Sequence, residues 1–175
     1  MPFLQYDNDR YIVTADGKLY WIIDAYTTSS YYPYSEPFDP AKSSMNYIRN
    51  SVKVVIDAYS GETNFYLVSD KDPIANTYAK IYPKLFKTFD QMPTSLQAHI
   101  RYPNVLFNIQ ANVYKRYHMK DVKVFYQGED LWDISSEIFG TQEVPMTPNY
   151  YIMKLPGEKE FNYPKSSGDE NEYTT

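Results

Sequence analysis

The sequence contains no cysteine, which removes disulfide crosslinks, a thiolate nucleophile and every Cys-type zinc site. It carries only two histidines, His99 and His118, and six scattered glycines. No phosphate-cradling glycine loop and no Gly-x-Ser-x-Gly elbow is present, so nucleotide binding and serine-hydrolase chemistry have no motif to rest on, and no cofactor is expected. Positive charge is also in deficit. Seventeen Lys and Arg against 22 Asp and Glu leave a net charge of −5, the wrong sign for holding a phosphate backbone, so nucleic acid is not an expected partner. No apolar run approaches the roughly 18–20 residues that a bilayer span requires, the densest being Leu19 to Ile23. The segment is therefore expected to be soluble as it stands. Its start, Met1 to Asp7, lacks the basic region and long apolar stretch of a secretory signal, so export would need sequence from outside it.

What is abundant is tyrosine, 20 in 175 residues. Hydrophobic residues make up 43% of the chain, yet the mean hydropathy is −0.58, because a tyrosine buries its ring while its hydroxyl seeks water or a hydrogen-bond partner. The length suits one domain with a real core.

Strand and turn signals dominate the first third. Tyr11 to Thr14 and Leu19 to Ile23 flank Asp16-Gly17, the residue pair that a type I′ hairpin turn favours. A second hairpin is predicted from Val52 to Tyr59 and Phe65 to Val68 around Ser60-Gly61-Glu62. Alternation places Val52, Val54, Ile56 and Ala58 on one face and Lys53, Asp57 and Tyr59 on the other, which predicts one buried and one wetter sheet face. Between the hairpins lies a polar, proline-rich stretch containing Tyr31, Tyr32, Tyr34 and Phe38, read as an ordered aromatic loop or a recognition loop. The tetrapeptide Ile-Asp-Ala-Tyr occurs at Ile23–Tyr26 and again at Ile56–Tyr59, suggesting two neighbouring strands whose Asp and Tyr share a face.

The middle of the chain reads as helical. Asp72 is a natural N-cap, Pro73 a natural first residue, and Ile74, Tyr78, Ile81 and Leu85 recur at helical spacing until Pro83 interrupts. A short turn of helix is predicted near Thr94 to His99. A longer helix follows over Pro103 to His118, with Leu106, Ile109, Val113 and Tyr117 on one stripe. Further expectations are a strand at Val122 to Tyr126, a third helix at Asp130 to Phe139 ending at Gly140, and a strand at Tyr150 to Leu155. Together these give an α+β fold: a mostly antiparallel sheet built from hairpins, with the helical middle packed on one face. The expected organisation is an N-terminal segment over 1–9, a single domain over 10–156 and a mobile polar tail over 157–175.

Several runs resemble a known family. They are Trp21-Ile22-Ile23-Asp24-Ala25-Tyr26-Thr27-Thr28-Ser29-Ser30, Tyr32-Pro33-Tyr34-Ser35, Asn46-Tyr47-Ile48-Arg49-Asn50-Ser51-Val52-Lys53, Ile56-Asp57-Ala58-Tyr59, Asp72-Pro73-Ile74, His99-Ile100-Arg101-Tyr102-Pro103, Leu106-Phe107, Tyr117-His118-Met119 and Glu129-Asp130-Leu131-Trp132-Asp133. In this order, from Arg10 to Pro156, they resemble uncharacterised protein family 0182. The resemblance implies a bacterial multi-pass membrane protein with a large extracytoplasmic region, of which this chain is similar to a part. It implies a location at the cell membrane, on the extracytoplasmic side, and the remainder of the membrane-embedded chain as a partner. It brings no reaction and no catalytic residue.

Several residues have the chemistry of a functional site. Asp24 and Asp57, each followed two residues later by a tyrosine, Tyr26 and Tyr59, offer a carboxylate pair for glycoside hydrolysis if about 5–9 Å separates them. The alternative for an Asp before a turn is a backbone hydrogen-bond acceptor. Tyr31, Tyr32 and Tyr34 offer flat rings to a sugar, a peptide or a partner domain, or else pack internally. Glu129, Asp133 and Glu137 would line one helix face, as calcium ligands or simply as solvated charges. His99 and His118 match no metal spacing and are expected to be structural, so no metal site is expected. The leading expectation is a non-catalytic binding or assembly module. Its rivals are an envelope-glycan hydrolase using the paired carboxylates and a domain that captures a ligand for transport or sensing.

Overall fold

The computed structural model describes residues 1–39, 43–146, 148 and 150, which fall into two compact units, Met1–Pro103 and Asn104 onward. The first holds a six-stranded sheet: β1 (Gln5–Tyr6), β2 (Tyr11–Ala15), β3 (Lys18–Ser29), β4 (Tyr47–Asp57), β5 (Thr63–Leu67) and β6 (Phe86–Thr88). The strand order is β1-β3-β4-β5-β6, with β2 also paired to β3. All neighbours are antiparallel except β5 and β6, which are parallel because helix α1 (Pro73–Ile81) intervenes as a crossover. A single 3₁₀ turn at Phe89–Gln91 leads to α2 (Thr94–Gln97). The α+β class and the two hairpins are as the sequence predicts.

Local chemistry explains the elements. Asp16 and Gly17 both adopt positive φ, 51° and 74°, the pair of left-handed residues that a type I′ turn requires to match strand twist. Asp72 caps α1 by accepting the Ile74 N–H at 2.9 Å, and the helix ends at Tyr82, before Pro83.

Burial departs from simple alternation. Strand β2 alternates buried and exposed residues, but Ser51 to Val55 at the centre of β4 are buried without interruption. The wetter face expected to carry Lys53, Asp57 and Tyr59 is therefore covered at Lys53, whereas Asp57 is only half-buried and Tyr59, past the strand, is exposed. One face packs Tyr11, Val13, Ile22, Val55 and Tyr66 under Met92 and Leu96. The other packs Ala25, Val52 and Val54 with Leu4, Phe3, Phe65 and Phe86. Phe3 stacks on Tyr78 of α1 at 3.8 Å between ring centroids.

The second unit contains α3 (Asn104–Tyr117), α4 (Val122–Gln127) and a hairpin, β7 (Ser136–Phe139) and β8 (Gln142–Pro145). Two expectations are corrected here. Val122 to Tyr126 is a helix, because Asp121 caps it through the Lys123 and Val124 N–H groups and Gly128 terminates it at φ 65°. The span Asp130 to Phe139 is not a helix: its last four residues pair with Gln142–Pro145 across a turn at Gly140. The strand expected at Tyr150 to Leu155 and the tail after it lie outside the described residues, Tyr150 excepted. Among the described residues no helix is long and apolar enough to cross a membrane.

Candidate functional site

The unusual feature of the first unit is a buried polar centre. The pairing of β3 with β4 shifts register between Ala25 and Thr27, a bulge that sets Tyr26 against both Asn50 and Ser51 and re-aims the side chains around it. Lys53, opposite Asp24 in the ladder, donates to the Asp24 carboxylate, and Asn50 Nδ2 donates to the same oxygen at 3.0 Å. Lys53 is only 2% exposed. Burial pushes its ammonium below the ordinary lysine value, against the pull of Asp24 and Asp7. Tyr26, also buried, donates its hydroxyl to Asp7, whose other oxygen accepts the Asp9 N–H at 2.8 Å.

On the far side of the bulge, the Asp72 carboxylate collects four donors: the Thr27 and Ser51 hydroxyls, the Tyr47 hydroxyl at 2.8 Å and the Ile74 N–H. Burial pushes the Asp72 carboxyl up, but the donors outweigh it and hold the group below the ordinary carboxylate value. Burial, reinforced by Asp72, pushes the Tyr47 phenol up to about 12. The charges of Asp7, Asp24, Lys53 and Asp72 are buried and paired with one another or with neighbouring donors, while Asn50 Oδ1 is buried without a hydrogen-bond partner. Together these residues fix the geometry of the bulge.

The loop after β3 is different. Asn46 clamps it, accepting the Tyr32 N–H at 3.0 Å and donating to the Tyr32 and Ser35 carbonyls at 2.9 and 3.0 Å. Ser35 Oγ returns a bond to the Asn46 carbonyl at 3.0 Å. Tyr32 stacks on Tyr47 at 5.3 Å between centroids, with the Arg49 guanidinium 5.9 Å from the Tyr47 ring. Tyr47 thus ties the loop to the Asp72 network. Held this way, the loop leaves Tyr31 92% exposed and Tyr34 fully exposed, the latter at a left-handed φ of 58°, a backbone state that a bulky residue adopts only when its surroundings impose it.

The remaining predicted residues are dispersed. Asp24 faces Lys53, whereas Asp57 lies four ladder positions away opposite Tyr20, roughly 13 Å along the strand. The structure does not bring these two carboxylates to the separation that hydrolysis requires. Asp57 instead accepts the Tyr59 and Ser60 N–H groups at 2.8 and 2.9 Å, and these bonds lower its pKa. Tyr59 is exposed within the turn after β4, while Tyr26 is buried. His99 bonds the Ser95 carbonyl through Nδ1 at 2.7 Å. His118 stacks on Trp132 at 4.0 Å between centroids, its Nε2 3.7 Å from Asp130. Glu129, Asp133 and Glu137 fall in a turn, an irregular stretch and a strand, so the acidic helix face does not form. In the second unit a groove of about 470 Å³ is lined by Asn112, Lys115, Asp133, Ser136 and Glu143. Its charges are already engaged, Lys115 with Asp133 and Ser136 with Glu143.

Sequence reasoning missed Lys53, Asp7 and Asn46 as organising residues. The signal available for Lys53 was a lone charge inside a Val-rich run, Val52-Lys53-Val54-Val55-Ile56. For Asp7 and Asn46 no local signal existed, since the partners they tie into the fold, Tyr26 for Asp7 and Tyr32 and Ser35 for Asn46, lie 11 or more residues away.

The model of the uncharacterised protein family UPF0182 matches residues 1–166. A UPF0182 protein of Pelotomaculum thermopropionicum is 53% identical over 162 residues, covering 93% of this chain and 17% of the relative. UPF0182 proteins of Methanospirillum hungatei and Sulfurovum sp. are 55% and 56% identical over 161 residues, each match covering 90% of this chain and 18% of the relative. The chain thus spans less than a fifth of the length of these relatives. No solved structure matches.

Proposed function

The chain belongs to the uncharacterised protein family UPF0182, and from that premise we propose that it is a non-catalytic binding or assembly module of a larger membrane-embedded chain, placed on the extracytoplasmic side. The contact surface is the 31–35 loop. One observation carries this reading: Tyr31 and Tyr34 stand in solvent on a loop already fixed by Asn46, Ser35 and the Tyr32–Tyr47 stack. Exposed aromatic rings on a pre-ordered backbone bind with little loss of conformational entropy, because the ordering has been done during folding. The buried charge cluster supports this indirectly, since its residues stabilise the scaffold and none faces outward. The occupants that suit flat phenolic rings are another part of the parent chain, an envelope glycan or a peptide.

The test uses the absence of cysteine from these 175 residues, with any cysteine elsewhere in the parent chain replaced by serine. In the parent chain in intact cells, Tyr34→Cys should react with a membrane-impermeant maleimide, and Tyr31→Ala with Tyr34→Ala should abolish binding found in a glycan and peptide screen. Labelling only after lysis would refute the location, and undiminished binding by the double variant would refute the surface.

A further inference from the structure

The second unit lacks what the first has. Among its described residues none is buried, although α3 runs for 14 residues and has the stripe of an amphipathic helix. Leu106 and Ile109 are only half-buried, while Val113 and Tyr117 are 41% and 58% exposed. The ring and ion-pair contacts within the unit fall mostly on other positions. Tyr114 meets Trp132 edge-on at 5.6 Å, Arg116 lies 4.9 Å from the Phe125 ring, and Lys115 pairs with Asp133. Tyr117 touches Phe125 at 5.5 Å between centroids and still leaves more than half its surface in water. Ile138 on the hairpin is 81% exposed.

A helix of this length is marginal in water on its own, and most helical stability in proteins comes from packing the apolar face. An apolar stripe this open marks an interface. We infer that the stripe Leu106–Ile109–Val113–Tyr117 is the docking face for another part of the same full-length chain. The inference deepens the assembly reading above and rests on it. The occupant is argued from length: the match covers 17–18% of each of the three relatives, so more than four fifths of such a chain lies outside this segment and is tethered to it. Tethering raises the effective concentration of a covering segment far above that of a separate partner.

The experiment places a photo-crosslinking benzoylphenylalanine at Val113, and separately at Tyr117, in the parent chain at its natural length in its own membrane. Asn112, exposed on another face of the helix, serves as the control. Irradiation should give crosslinks within one chain that map outside these 175 residues, from Val113 and Tyr117 and not from Asn112. In the chain carrying Val113→Asp, the crosslink from Tyr117 should be lost. Crosslinks to lipid, to a second copy or within the segment, equal yield from Asn112, or no crosslink from either site would overturn the inference. So would a natural chain that does not extend beyond the segment. Failure of outside labelling at Tyr34→Cys sinks the proposed location and leaves this interface standing; a lipid or second-copy crosslink does the reverse.

Discussion

Replacing Lys53 by Met tests whether the buried ion pair is the mechanical centre of the sheet. Methionine keeps most of the lysine's length and removes the ammonium, leaving the Asp24 carboxylate 3% exposed with Asn50 Nδ2 donating to it at 3.0 Å. Removing one partner of a buried pair costs about 3–5 kcal/mol, because the surviving charge keeps its desolvation penalty and loses its counter-ion. With a urea m-value of about 2 kcal/mol/M, the midpoint should fall by roughly 1.5–2.5 M. The assay is urea unfolding followed by Trp21 fluorescence in a Trp132→Phe background. Adding Asp24→Leu removes the second charge and should restore at least half of the loss, since apolar replacements of a whole buried pair are often neutral or better. A pH series gives an independent check. Lys53 titrates below its ordinary value in the folded chain, so from its folded value up to about 10.4 the unfolded chain holds more protons, and stability should rise with pH across that window. The double variant should lose that rise. A single variant within about 1 kcal/mol of the parent, or a double variant no better than the single, would refute the reasoning.

Asp72 is held below its ordinary value of 3.8, so its stabilisation is present above that pH and is lost as pH falls through the folded value; Asp72→Asn should flatten the acid limb of a pH–stability curve. The raised Tyr47 works in the opposite direction: its contribution is full below pH 10 and disappears toward about 12, a loss that Tyr47→Phe should abolish in alkaline melts. Gly17→Ala should cost about 1 kcal/mol in thermal unfolding, because φ of 74° strains any residue with a Cβ. Asn46→Ala should speed amide exchange at Tyr32 about fivefold, as expected when a hydrogen bond of about 1 kcal/mol is lost; an unchanged rate would show that the loop is held by something other than the clamp.

Where the determining contacts are close in sequence, the fold was legible. Asp16-Gly17, Asp72-Pro73 and the stripe from Leu106 to Tyr117 carry their instructions within a few residues, and each element formed where its signal stood. The reading failed where two local signals competed. Val122 to Tyr126 reads as a short strand, but Asp121 and Gly128 cap a helix at both ends. At Leu131, Ile134 and Ile138, helical spacing lost to a hairpin turning at Gly140. The buried centre was beyond local reading for another reason. Alternation placed Lys53 on a wetter face, and only the covering of that face by Met92 and Leu96, some forty residues later, turns it into an interior position. The bulge that admits Asn50 and Ser51 opposite Tyr26 depends on the pairing of two strands and leaves no mark in either alone. Of the candidate surface, the aromatic loop was legible from Tyr31, Tyr32 and Tyr34, but the residue that orders it, Asn46, was not.

The boundaries of the large sheet bear on how the molecule meets others. One margin is the three-residue β6, and the other is shared by the two-residue β1 and the five-residue β2. A visiting strand would find few consecutive main-chain groups to pair with on either margin, so fibril-like growth has little template. Under the binding role proposed above, selectivity for a companion molecule then falls to side chains, and to tyrosine rings above all.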